Sequence, residues 1–375
     1  MKPAEHFIRS KLAERQAAGI YRTLKPESSL VDFCSNDYLG FARSAELKSK
    51  IEAELANYPD SFNGATGSRL LAGNLNYTES LERETANYHH AEAGLLFNSG
   101  YDANIGIFSS LPQRGDTIIL DELIHASVID GARLSNANRY TFKHNDINSL
   151  ENKLKAAKGN IYVGIESIYS MDGDTPDIRA ILELTEKYNA NLIVDEAHAI
   201  GICKKGLVQQ FDLQHRIFAR IITFGKAFGC HGAVVLGSDN LRNYLINFAR
   251  SFIYTTAASF HQLASIKIAY AFLDESDETI AQLKNNIEQF KQQVKRNNDY
   301  PLLNSDSPIQ CIVLNSNTKA KQVAEALQHA GLDIRPILSP TVPAGLERIR
   351  ICLHAYNTND EIKLLAETIN RLTNE

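Results

Sequence analysis

Ile221-Ile222-Thr223-Phe224-Gly225-Lys226-Ala227-Phe228-Gly229-Cys230-His231-Gly232-Ala233 reads as a strand end running into a loop of small residues, with one lysine near its centre. Lysine is normally a solvated surface residue, and this one is flanked by Phe, Gly and Ala rather than by charges. Desolvation disfavours the ammonium form, and a neutral amine attacks an aldehyde. Taken alone, Lys226 reads equally well as a lysine that snorkels from a strand end. The segment Asn191-Leu192-Ile193-Val194-Asp195-Glu196-Ala197-His198 tips the balance. It is a second apolar run, ending in Asp195, with His198 three residues on.

In open α/β sheets ligands bind outside the carboxyl ends of the strands. An acid and a lysine at two such ends suit a ring that carries a basic nitrogen and an aldehyde. A carboxylate keeps a pyridine nitrogen protonated and a lysine makes the Schiff base, which is the pyridoxal 5′-phosphate arrangement. Singly, Asp195 reads as a helix cap and His198 as a core histidine; together with Lys226 those readings lose ground.

Working outward, T-I-I-L-D, I-Y-V-G-I-E, L-I-V-D, I-I-T-F and A-V-V-L-G are short apolar runs, most of them separated by helical patterns. That alternation predicts βαβ units and a mostly parallel sheet, an α/β fold. Helices are predicted over 5–18, 44–57 and 77–89. In D-G-D-T-P-D-I-R-A-I-L, Asp174 or Thr175 is the expected cap and Pro176 the first helical position. Beyond about 270 the pattern changes to a charged helix over 275–295, a βαβ-type tail with a helix over 319–330, and a last helix over 360–372. The expected organisation is an N-terminal helix and arm (1–45), a large cofactor-binding domain (46–270) and a small α+β domain (271–375).

Three further segments carry candidate chemistry. F-N-S-G-Y-D-A-N places Gly100 and Tyr101 where a strand gives way to a helix, whose N-terminus favours a phosphate; Tyr101 would lie along one edge of a bound ring. His125 follows the strand T-I-I-L and can stack on a flat ring or move a proton. Ser170 lies just past another strand end. The plainer readings are a strand-to-helix turn, a capping or core histidine, and turn chemistry before Asp172-Gly173.

The 375 residues carry a formal charge of -5, with 44% hydrophobic and 22% charged residues, as in an ordinary soluble globular protein. There is no basic run for nucleic acid and no apolar run of the ~20 residues that span a bilayer. The five cysteines (34, 203, 230, 311 and 352) show neither zinc nor redox spacing, which fits reduced thiols and a cytoplasmic protein. The charged start M-K-P-A-E-H-F-I-R-S-K lacks the apolar core of a secretory signal. No metal site is expected.

The blocks D-F-C-S-N-D-Y-L-G, G-A-T-G-S-R-L-L-A-G, F-N-S-G-Y-D-A-N, H-A-S-V-I-D-G-A, S-M-D-G-D, V-D-E-A-H, T-F-G-K-A-F-G and P-T-V-P-A-G-L-E-R-I-R stand in this order from about residue 30 to the end. Together they resemble the α-oxoamine synthases, a branch of the fold-type-I pyridoxal phosphate enzymes. The resemblance implies a transferase fold and a homodimer. It also implies a decarboxylative condensation of an amino acid with an acyl thioester, carried by coenzyme A or a carrier protein. L-alanine with a pimeloyl thioester is the first expectation; glycine with acetyl-CoA, or a longer acyl chain, is the alternative.

Carried over by position, the resemblance makes Lys226 the cofactor-binding lysine and later the base, and Asp195 the partner of the ring nitrogen. His198, Thr223 and Ser170 contact the cofactor, Gly100 and Tyr101 lie along it, and His125 stacks on it. Arg22, Thr341 and Arg350 touch substrate, Arg350 through the amino-acid carboxylate. Thr255 and Thr256 reach the phosphate of the neighbouring subunit. Two segments depart from the family pattern: Ala257-Ala258-Ser259-Phe260 replaces the usual prolines, and the loop Ile202–Phe211 is poorer in glycine. Asp195-Glu196-Ala197-His198 also spells a helicase signature, but no G-x-x-x-x-G-K-[ST] loop precedes it. A non-catalytic binding protein on the same fold is the remaining rival.

Overall fold

The computed structural model describes residues 2–374. Its strands, in chain order, are β1 (Val31–Asp32), β2 (Ala93–Phe97), β3 (Thr117–Asp121), β4 (Asn138–Phe142), β5 (Ile161–Glu166), β6 (Asn191–Asp195), β7 (Ala219–Thr223), β8 (Ala233–Gly237), β9 (Ile309–Val313), β10 (Leu332–Asp333), β11 (Arg335–Ile337) and β12 (Arg348–Cys352). Seven of them form the main sheet in the order β2-β8-β7-β6-β5-β3-β4. The pairs from β7 to β4 are parallel, whereas β8 runs antiparallel to both of its neighbours. Strands β2, β3, β5 and β7 are buried along their whole length, as expected of a sheet covered on both faces. The expectation of a mostly parallel α/β sheet holds.

The reversal at β8 has a local cause. Only Phe224–Gly232 connects β7 to β8, too short for the crossover that a parallel partner requires. The connection closes on itself: Phe224 N–H donates to Gly232 O (2.9 Å), Cys230 N–H to Phe224 O (2.8 Å) and Gly229 N–H to Lys226 O (2.8 Å). Lys226 therefore sits on a pinned loop.

Three sequence expectations need correction. The helix Ile178–Lys187 is capped by Asp177, whose side chain accepts from Ala180 N–H. Asp174 and Thr175 lie upstream of it, and Asp174 instead accepts from His144 and Asn145. The C-terminal tail is not βαβ: β11, β12 and β9 form an antiparallel sheet, and β10 pairs with β1 instead. The apolar positions of the first helix, Pro3–Ala17, do not pack. Phe7, Ile8 and Leu12 are 62%, 49% and 43% exposed, so amphipathic spacing did not translate into burial within one chain.

Candidate active site

The carboxyl ends of β5, β6 and β7 deliver Glu166, Asp195 and Thr223 to one edge of the sheet. The loop after β7 adds Lys226, and helix Gly100–Ser110 adds its first turn. These residues line one cavity of about 250 Å³ with Asn36, Tyr101, Asn104, His125, Ser127, His198 and His231.

Each side chain is held by its neighbours. Asp195 is 6% exposed and accepts from Asn104 Nδ2 at 2.8 Å and from Ala197 N–H at 2.9 Å. His198 Nδ1 meets the Tyr38 hydroxyl at 2.8 Å. Burial, then the charges of Lys226 and Arg350, hold His198 well below the usual imidazole range, so its ring is neutral. His125 Nδ1 accepts from Ser127 N–H at 3.2 Å and lies 2.7 Å from the Ser127 hydroxyl. A neutral His125 therefore carries its proton on Nε2. Burial lowers the Lys226 amine, and Arg350 adds to that; the carboxylates of Asp195 and Glu166 work against it.

The arrangement fits a phosphorylated pyridine aldehyde. Lys226 offers an amine that burial makes easier to deprotonate, and Asp195 a fixed carboxylate. Gly100 opens a helix of eleven residues, whose first N–H groups have no partner inside the helix. A Cβ on Gly100 would come within 2.6 Å of Thr223 Cγ2, so the space between that turn and β7 is kept clear. Asn104 Oδ1, Glu166 Oε1 and Thr223 Oγ1 are sealed from solvent without a hydrogen-bond partner among the described residues. Three such atoms around one cavity call for a polar ligand.

The chain matches the family model for aminotransferase class I and II over residues 28–369. It belongs to that family. An 8-amino-7-oxononanoate synthase from Emericella nidulans is 42% identical, with 92% of this chain and 90% of that one covered. The crystal structure of 8-amino-7-oxononanoate synthase from Francisella tularensis is 29% identical, with a TM-score of 0.76 and 92% and 98% of the two chains covered. Serine palmitoyltransferase from S. paucimobilis superposes with a TM-score of 0.87 over 99% and 98% of the chains at 22% identity, a likeness of fold. The resemblance to the α-oxoamine synthases and the fold-type-I transferase architecture are both borne out, and pyridoxal 5′-phosphate is the cofactor on which the family depends.

Set in this family fold, the remaining sequence candidates separate. Tyr101 lines the cavity while its hydroxyl donates to Asp130 Oδ2 at 2.6 Å. Arg350 stands behind the cavity wall, donating from Nε to Ser170 O (2.7 Å) and from Nη2 to Asn36 Oδ1 (3.0 Å). Ser170 thus enters through its carbonyl and is not among the lining residues. Arg22 and Thr341 are exposed and also lie off the lining. Thr255 and Thr256 sit beside Asn98, whose Nδ2 donates to Thr255 Oγ1 (3.0 Å) and to Thr256 O (2.8 Å). The segment after them, where prolines were expected, has a local use: Ser259 caps helix Phe260–Asp274, and Ala257 N–H donates to Gly67 O (3.0 Å).

The D-E-A-H tetrapeptide is split. Asp195 and His198 line the cavity, while Glu196 is fully buried and its Oε2 accepts from Arg220 Nε (2.8 Å). Glu196 Oε1 takes Val208 N–H (2.9 Å), and a Cβ on Gly206 would meet that carboxylate at 2.7 Å. The acid a helicase would spend on a metal is here a structural anion for the Ile202–Phe211 loop. Sequence reasoning missed Asn36, Tyr38, Asn104 and Glu166. Asn36 and Tyr38 lie in a block already quoted, Glu166 ends its strand as Asp195 does, and Asn104 follows Gly100 at one helical turn.

Proposed function

We propose that the chain is an acyltransferase that condenses L-alanine with a pimeloyl thioester, with loss of carbon dioxide, to give 8-amino-7-oxononanoate, a step of biotin biosynthesis. The observation that carries this reading is that the Lys226 amine and the Asp195 carboxylate line one cavity. The 42% identity to a relative of that name supports the substrate choice.

Bound in this cavity, pyridoxal 5′-phosphate supplies an aldehyde for the amine and a protonated ring that draws electrons from the amino-acid α-carbon. Asp195, fixed by Asn104 and Ala197 N–H, holds the proton on the ring nitrogen through its opposite charge. Lys226 Nζ, its pKa lowered by burial, would accept the α-proton of the bound amino acid. Ser127 fixes the His125 ring through Nδ1, which would leave Nε2–H as a donor to the substrate. Arg350 would take the substrate carboxylate and orient the bond that breaks by exchanging the Nη2 contact to Asn36 Oδ1 for the substrate, while Nε stays on the Ser170 carbonyl. His198 and Thr223 would hold the cofactor's substituents, and the first turn at Gly100 and Tyr101 its phosphate side.

In the same reading Arg22 and Thr341 meet the acyl thioester at the mouth. The homodimer brings Thr255 and Thr256 to the neighbouring subunit's phosphate. Residues 46–270 form the cofactor domain and 271–375 the small one. A cytoplasmic setting accords with five unpaired cysteines.

The test is a visible spectrum of the purified chain loaded with pyridoxal 5′-phosphate, then titration with alanine and glycine in the presence of pimeloyl and acetyl thioesters. Alanine with the pimeloyl thioester should release carbon dioxide and free thiol in equal amounts. Faster turnover of glycine with the acetyl thioester would replace this reading by a glycine C-acetyltransferase. A chain that never acquires the cofactor's absorbance would remove both.

A further inference from the structure

Glu166 and Asp195 are register partners on the parallel strands β5 and β6, so two carboxylates leave the sheet side by side. Both are buried, 3% and 6% exposed, but their surroundings differ. Asp195 accepts one hydrogen bond at each oxygen. Glu166 Oε1 is sealed from solvent and finds no partner among the described residues. The titratable groups facing Glu166 are Asp195 on β6, Lys226 after β7 and, more weakly, Tyr169 in the loop that follows β5. His125, at the head of helix Ala126–Leu134, presents its backbone N–H, as does Ser170. Two neighbouring carboxylates screened from water do not both ionise cheaply. Both Asp195 oxygens are taken by hydrogen bonds, whereas Glu166 Oε1 stays without a partner despite the two N–H groups nearby, so Glu166 is the better place for the shared proton.

We propose that Glu166 is a positioning residue for Lys226: a neutral carboxylic acid that donates a hydrogen bond into the cavity and leaves Asp195 to carry the negative charge facing the amine. Burial, followed by the charge of Asp195, lifts Glu166 to about 8, against Lys226 and the two N–H groups. Were Glu166 ionised, a second anion would favour the ammonium form of Lys226, and an ammonium neither attacks an aldehyde nor accepts a proton. A carboxylic acid with one oxygen unused would also be a donor suited to an oxygen substituent on the bound ring.

This inference rests on the proposed function only for the identity of the bound ring, and its test has two arms. In the first, infrared spectra of the cofactor-free full chain are compared with and without carboxyl-13C glutamate. A protonated-acid carbonyl band that shifts with the label should be present at pH 6.5, fade as pH passes about 8 and be missing in Glu166→Gln. In the second, the cofactor-loaded chain is titrated by visible absorbance. The wild type should show a pH-dependent transition that Glu166→Gln abolishes while still taking up cofactor. No labelled acid band at pH 6.5, or the same transition in Glu166→Gln, overturns the proposal. The infrared arm on labelled wild type needs neither a variant nor the cofactor. It therefore decides the matter even if Glu166→Gln does not fold, and failure to bind pyridoxal 5′-phosphate would count against the cofactor reading alone.

Discussion

A lysine amine reacts only when neutral, and burial shifts Lys226 towards that state, on a loop whose ends are tied by backbone hydrogen bonds. Lys226→Ala should therefore abolish the covalently tethered cofactor's absorbance and lower turnover by a factor on the order of 10³ or more, while circular dichroism stays unchanged. Asp195→Asn keeps the shape and removes the charge. Because Asn104 Nδ2 then faces an amide in place of a carboxylate, the variant should still take up cofactor yet lose roughly 10²-fold or more in turnover. Full activity in steady-state assays of either variant would refute its role. Lys226, Asp195 and His198 were legible in sequence because an apolar strand end makes a charged residue conspicuous. Glu166 ends its strand in the same way, but only the approach of β6 and of helix Gly100–Ser110 shows that it is enclosed. Thr341 stands in a quoted block and Arg22 ahead of the first one, both assigned through the family resemblance alone, and the fold leaves both exposed and off the cavity wall.

Elements meet at the cavity with little slack, and helix Gly100–Ser110 is where this is most easily tested. Gly100→Ala places a methyl 2.6 Å from Thr223 Cγ2, so the first turn must retreat from β7. Equilibrium dialysis should show cofactor affinity reduced by about tenfold or more, with about 1–3 kcal/mol of stability lost to overpacking. A second junction lies off the cavity lining. His144, beyond β4, donates from Nδ1 to Asp121 at the end of β3 (2.9 Å) and from Nε2 to Asp174 (2.8 Å). Burial opposes its charge, but the hydrogen bonds and charges of Asp121 and Asp174 win and raise it to about 9. A raised pKa means stability fully present below the ordinary value of 6.5 and lost as pH climbs through about 9. The melting temperature of the wild type should fall across that interval, and His144→Ala should start lower and lose that slope. These contacts explain the misplaced helix cap. The hydroxyl-and-acid run before Pro176 offers several good caps, and nothing local reveals that His144 already occupies Asp174. The antiparallel small sheet was hidden for a related reason: strand, helix and strand in sequence do not say whether the second strand returns beside the first.

At the scale of the molecule, β1 ties the two ends of the chain together. It pairs with β10, and Cys352 N–H donates to Phe33 O at 2.8 Å. The turn that follows carries Asn36 to the cavity wall, where it supports Arg350. Asp32 organises this turn. Its side chain accepts from Cys34 N–H (3.0 Å), Ser35 N–H (2.9 Å), the Ser35 hydroxyl (2.7 Å), Arg43 Nη2 (2.7 Å) and the Tyr356 hydroxyl (3.0 Å). Burial works against the carboxylate, and these hydrogen bonds together with His354 outweigh it, so its pKa lies far below the ordinary carboxylate range. A depressed pKa gives stability that is present above the unfolded value of 3.8 and lost as pH falls below it. Asp32→Asn replaces an anion that takes five hydrogen bonds by an amide that cannot accept them all. It should cost about 2 kcal/mol at neutral pH, the scale of hydrogen bonds to a charged group. Thermal melts should show a gap between wild type and variant that is widest near pH 7 and narrows steadily into acid. Because Asn36 and Arg350 rest on the same turn, KM for the amino acid should rise more than kcat falls. A gap that stays constant with pH would mean that Asp32 contributes by its shape and not by its charge.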